Sequence, residues 1–313
     1  MTQPPAPPGQ PPAPPGQPKA PPLNTRPGLA LTDVANSLGP LTDLAGTWIG
    51  TGFNLVSLPD FDPTPPSTGP KAFRLKLNST VEILEFDPIG GAVPNRGSTG
   101  QDDISIFGLR YLQRIADSVT NEAMHIEPGF WLNVPATTVP PGGATVVRQG
   151  SIPHGTSVLA VGTALPVAGG PRIGPVDSTP VKNPPDGTPL GPGYLAPFTN
   201  PPLPPGFKPP FVKNLNLALE EAILGQNITN TEVLIISTAA PPNGPATQKG
   251  GTVNMPFDIP NADATKMDAI FWIETVQQSD GSTFLQLQYT QTVILNFLNI
   301  DWPHISVATL VKQ

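Results

Sequence analysis

The feature that most constrains this chain is a period-two alternation that recurs in short runs along it. In residues 283–297, Leu285, Leu287, Tyr289, Gln291, Val293 and Leu295 alternate with Gln286, Gln288, Thr290, Thr292 and Ile294. Successive side chains of a strand point to opposite faces, so this run reads as a strand with one apolar face and one amide or hydroxyl face. Shorter runs of the same kind lie at 44–55, 73–86, 104–115, 124–134, 145–150, 157–164, 231–237, 267–277 and 304–311. On 104–115, Phe107, Leu109, Tyr111 and Ile115 share one face. Turn residues separate the runs, and strands do not alternate with helices as they would in an α/β nucleotide-binding fold. The pattern predicts a mainly-β protein, an up-and-down antiparallel β-barrel with one or two short helices.

Two segments are set apart by proline and glycine, which together make up about a quarter of the 313 residues. Residues 1–28 carry a tandem Pro-Pro-Ala-Pro-Pro-Gly-Gln repeat and read as a flexible polyproline tail. Such a tail also fits a proline-recognition partner, which leaves open a structural or interaction role. Residues 29–313 are expected to form a single barrel domain, interrupted at 165–210 by a long Pro/Gly-rich insertion that would be a lid or partly disordered. A first helix is expected at 29–40, with Thr32 or Asp33 as cap and Gly39 as stop. A second is expected at 211–225, where Leu215, Leu219 and Ile223 share a face before Gly225; it should pack over a barrel opening. The outer face of the last strand (Ile305, Val307, Thr309 and Val311) needs a cover, either that helix or the second subunit of a homodimer.

Charge and composition exclude several functions. The net charge is −7 and no basic patch appears, so nucleic acid is not expected as a partner. Charged residues are only 12% of the chain, about half the usual share. There is no apolar run long enough for a spanning helix and no basic-then-apolar leader, so the expected compartment is the cytoplasm. With no cysteine, disulfides, thiolate metal sites and cysteine nucleophiles are excluded. The phosphate-binding loop, the H-E-x-x-H zinc motif and the G-x-S-x-G nucleophile elbow are all missing.

Only three histidines occur: His125, His154 and His304. Three imidazoles could in principle hold zinc. His304 opens the last strand and, by alternation, shares a face with Ser306, Ala308 and Leu310. Small side chains beside one imidazole leave room for a flat ligand; they equally fit the taper of a small barrel.

Three segments in order resemble the nitrobindin-like haem-binding barrels. Gly46-Thr47-Trp48-Ile49-Gly50-Thr51-Gly52 matches their G-x-W-x-G-x-G first strand, a pattern shared in part by lipocalins and fatty-acid-binding proteins. Met124-His125-Ile126-Glu127-Pro128-Gly129-Phe130 resembles a mid-barrel strand, and the segment from His304 to Leu310 resembles the last. The resemblance implies haem b, with His304 as the axial iron ligand and with Trp48, Gly50, Gly52, Ser306 and Ala308 in the binding region. His125 and His154 become candidate distal polar groups, although Trp48 equally suits a plug at the barrel base. It also implies action on nitric oxide, peroxynitrite or peroxide, without naming a catalytic residue. The alternative is a carrier of a small apolar ligand without catalysis.

Overall fold

A computed structural model describes residues 31–60, 73–240 and 249–313. The proline-rich repeat lies outside the described residues. Ten strands form the wall: β1 (Gly46–Pro59), β2 (Phe73–Pro88), β3 (Ile104–Asp117), β4 (Ala123–Val134), β5 (Thr145–Ile152), β6 (Thr156–Ala168), β7 (Asn227–Ser237), β8 (Asp263–Gln277), β9 (Thr283–Phe297) and β10 (Ile300–Lys312). Each pairs antiparallel with the next, and β10 pairs back onto β1. This is a closed up-and-down barrel, as the alternation predicts, and closure removes the free sheet edges.

Each alternating run falls on one of the ten strands. Three strands, β7, β8 and β10, begin well before their alternating runs, and on the first two the physical reason is the same. Register shifts at Ile228/Asn230 on β7 and at Ala264/Lys266 on β8 insert an extra residue. Such a bulge breaks the period of two, so the pattern is legible only beyond it, from Thr231 and from Met267.

One end of the barrel has a floor. Helix α1 (Leu31–Leu38) stops at Gly39, whose φ of +56° suits glycine, and a 3-10 turn continues to Leu44. Leu38, Leu41 and Leu44 are buried with Trp48, Leu84, Phe86, Leu109, Trp131, Val146, Leu287 and Leu310 in one apolar cluster. The Trp48 indole Nε1 donates to Leu44 O at 2.7 Å, which satisfies its one polar atom inside the core.

The wall closes at a tight seam between β1 and β10. A side-chain carbon at Gly50 would come within 2.1 Å of Thr309 O, and one at Gly52 within 2.0 Å of Val307 O. Only glycine allows the two backbones this approach.

Residues 169–226 pack partly on the outer wall and partly on the end opposite the floor. The helix expected at 211–225 is shorter: a 3-10 turn at Pro209–Val212, then α2 (Asn216–Ala222). It does not cover an opening. Leu215 and Leu219 pack instead with Phe53, Leu55, Trp272, Ile305 and Val307 on the outer wall. Ile305 and Val307 on the exterior of β10 are therefore covered by this helix of the same chain, while Val311 stays exposed. The polar face of β9 is covered too: Gln286, Gln288 and Thr290 are buried, and Gln288 Nε2 donates to Leu219 O at 3.0 Å. A further stretch, Leu190, Tyr194 and Leu195, packs with Leu295, Phe297 and Trp302 at the end opposite the floor. Among the described residues no helix is long and apolar enough to cross a membrane.

Candidate functional site

In an up-and-down barrel, the start of an even strand and the end of an odd strand lie at the same end. His125 is near the start of β4, His154 is in the β5–β6 turn, and His304 is near the start of β10. All three histidines therefore gather at the end opposite the floor. The His125 and His154 rings are 5.9 Å apart, and His154 Nε2 lies 3.1 Å from Met124 O. Among the described residues, however, no three His, Cys, Asp or Glu side chains cluster as a metal site would require. A three-histidine zinc site is not built here.

His304 faces the interior with Ser306, as its alternation predicts. Burial pulls its pKa down to about 4, and the nearby charges of His125 and His154 add to that. The ring is only partly shielded from solvent-sized space yet deep among protein atoms. At neutral pH it carries no charge. The buried Asn54 amide Nδ2 lies 2.7 Å from His304 Nε2 and 2.9 Å from Ser306 Oγ. The seam register sets this up by pairing Asn54 with Ser306.

Between the histidines and the floor is a buried polar network. Arg148, 1% exposed, donates from Nη2 to Glu127 Oε1 at 2.8 Å and from Nε to the Tyr111 hydroxyl at 3.0 Å. Its Nη1 donates to Gln291 Oε1 at 2.6 Å. The guanidinium carbon also sits 5.3–5.9 Å from the ring centres of Tyr111, Phe271 and Trp131. Tyr111 donates to Glu127 as well. Glu82 accepts from Gln113 Nε2 and from the Tyr289 hydroxyl, each at 2.7 Å. His125 Nε2 lies 3.3 Å from Glu127 Oε2, so the network reaches up to the histidines.

The two carboxylates of this network behave oppositely. Burial opposes charge on both. At Glu127, Arg148 and His125 outweigh burial and hold the carboxyl well below its usual range. Glu82 has no cation in contact; burial wins and pushes its pKa up to about 7. One permanent ion pair and one carboxyl poised near neutrality thus share the barrel interior.

The remaining residues nominated for the binding region are spread along the barrel. Trp48 is wholly buried in the floor, and Gly50 and Gly52 form the seam. Ala308 packs inside the floor cluster. Asn54 and Trp48 are six residues apart on one strand, roughly 20 Å by strand rise. Only Ser306, of this group, stands beside His304. Sequence reading passed over Asn54, Glu82, Gln113 and Arg148. The signal was present at Arg148, which shares the inward parity of Val146 and Gly150.

No family model matches this chain, and no curated protein matches it. Among solved structures it is similar to the crystal structure of Rv2717c from M. tuberculosis. Identity is 15%, the match covers 88% of this chain and 97% of that one, and the TM-score is 0.42.

Proposed function

We propose that this barrel holds a flat ligand at its histidine-bearing end, and that the ligand is haem b with His304 as the axial iron ligand. The observation that carries the reading is His304 itself. It faces the interior beside the small Ser306, and burial keeps its imidazole neutral, the form that ligates iron. Strand number supports it: eight strands enclose an interior that side chains just fill, and ten enclose more. Bound there, haem would supply an iron centre of the kind that meets nitric oxide, peroxynitrite or peroxide. His304 would hold it through Nε2, the nitrogen that Asn54 caps in the protein without ligand. Val293 and Trp302 would exclude water, and His125 and His154 would be the polar groups at its other side.

Hemin titration tests the reading. A Soret shift that saturates at one equivalent, and that His304→Ala abolishes while His125→Ala does not, is the expected result. An unshifted Soret band in the wild-type protein overturns it. The second reading, a carrier of an apolar ligand without metal, is favoured by the apolar wall of Leu295, Phe297 and Trp302 at the same end. Native mass spectrometry of the purified protein, searching for a co-purified organic molecule, separates the two.

A further inference from the structure

We infer that Asn54 is the positioning residue of this site: it holds His304 in a single tautomer, with Nε2 as the acceptor, and an iron that binds Nε2 must displace Asn54 from that nitrogen. The proposal rests on the haem reading for its second half only. Its first half is a statement about the protein without ligand.

An amide NH2 has two donors and no acceptor capacity on nitrogen. Asn54 Nδ2 spends one hydrogen on His304 Nε2 at 2.7 Å and the other on Ser306 Oγ at 2.9 Å. A neutral imidazole that accepts at Nε2 carries its proton on Nδ1. Asn54 is buried and sits on the seam strand, with Ser306 directly opposite, so its amide is tied at both hydrogens. The pattern Gly50-x-Gly52-x-Asn54 puts it next in line after the two seam glycines on the inward face. Those glycines bring β10 close; the first larger inward residue beyond them is the one that meets His304.

The consequence is competition. The nitrogen prepared as an acceptor is unprotonated and ready for a metal, so Asn54 presets the ligating form. It also occupies that nitrogen. A hydrogen bond of this kind has a net worth equivalent to about a 2- to 10-fold change in an equilibrium constant.

Two variants and two readouts test this on the full-length protein. Imidazole nitrogen NMR at pH 8 reads the tautomer of His304 without any ligand, and hemin titration reads the competition. In the wild type, His304 is expected as the Nδ1–H form alone. Asn54→Ala should release it to a mixture of tautomers and tighten hemin binding by about 2- to 10-fold. Asn54→Asp, which keeps the shape, replaces the donor by an acceptor and should move the proton to Nε2 and weaken hemin binding. It guards against a misfolded alanine variant. An unchanged tautomer in both variants overturns the inference, however hemin behaves. A changed tautomer with hemin bound equally by all three proteins overturns the competition. A changed tautomer with hemin bound by none overturns the haem reading and upholds the hold of Asn54 on the ring.

Discussion

The two halves of the barrel interior are built by opposite rules. The floor half is apolar: Trp48, Leu84, Phe86, Trp131, Leu287 and Leu310 pack with the plug residues Leu38, Leu41 and Leu44. The Trp48 indole N–H within it is satisfied locally. The upper half buries an arginine, two glutamates and several amides within the same wall, below the half-buried His125 and His304. Burial of apolar area stabilises the first directly, at about 25 cal/mol per Å². Charges in the second must recover a desolvation cost through geometry, and replacing them with apolar residues would often be neutral or better. A wall able to bury a second apolar layer but holding a polar network instead has kept that layer for something other than stability.

That contrast can be broken at several points. The largest effect is expected from Arg148→Met, which leaves Glu127 as an unpaired buried charge. Urea unfolding should show a loss of about 3–5 kcal/mol. The double variant with Glu127→Gln should recover most of it, and a double variant as unstable as the single one would refute the pairing. Next comes the floor: Leu287→Ala should cost about 2–5 kcal/mol and leave hemin titration unchanged. A change in hemin affinity there would mean that the two halves are coupled rather than separate.

A third test uses pH. Glu82 ionises near 7 in the fold but near 4.5 when unfolded. Between those values the unfolded chain has lost a proton that the folded chain keeps. Stability from this group is full below about pH 4.5 and is lost as pH rises through 7, by up to about 3 kcal/mol. Glu82→Gln keeps a neutral side chain throughout. It should therefore exceed the wild type in stability at pH 8, with the gain shrinking towards pH 5 in paired thermal melts. The smallest stability effect belongs to His304→Ala, about 1 kcal/mol for the lost Asn54 hydrogen bond, together with the complete loss of any hemin shift.

How much of this could be read beforehand differs by residue. The strand that ends with Leu295 and Phe297 is plain from its alternation, because side-chain direction along a strand is a local property. The inward direction of His304 follows from the same rule. The meeting of the three histidines was within reach once the topology was up-and-down, since strand parity alone assigns each to an end. The pairing of Arg148 with Glu127, or of Glu82 with Tyr289, had no local signature; those residues lie 21 and 207 positions apart. The turn between β9 and β10 also lacked its usual sign. Leu298 and Asn299 both have φ near +60° without a glycine, and Leu298 is held by packing at the upper end.

By itself, then, the sequence determined the ten alternating runs, the first helix, the stop at Gly39 and which side chains share a face on the clearest strands, all consequences of neighbours along the chain. The tertiary structure decided what those inward faces meet. Seam glycines brought Asn54 onto His304, and barrel closure gathered distant charges into one network. Helix α2 and Gln226 cover the amide face of β9, which alternation alone marks as the solvent side. Register and closure are properties of pairs of strands, and no single strand encodes them.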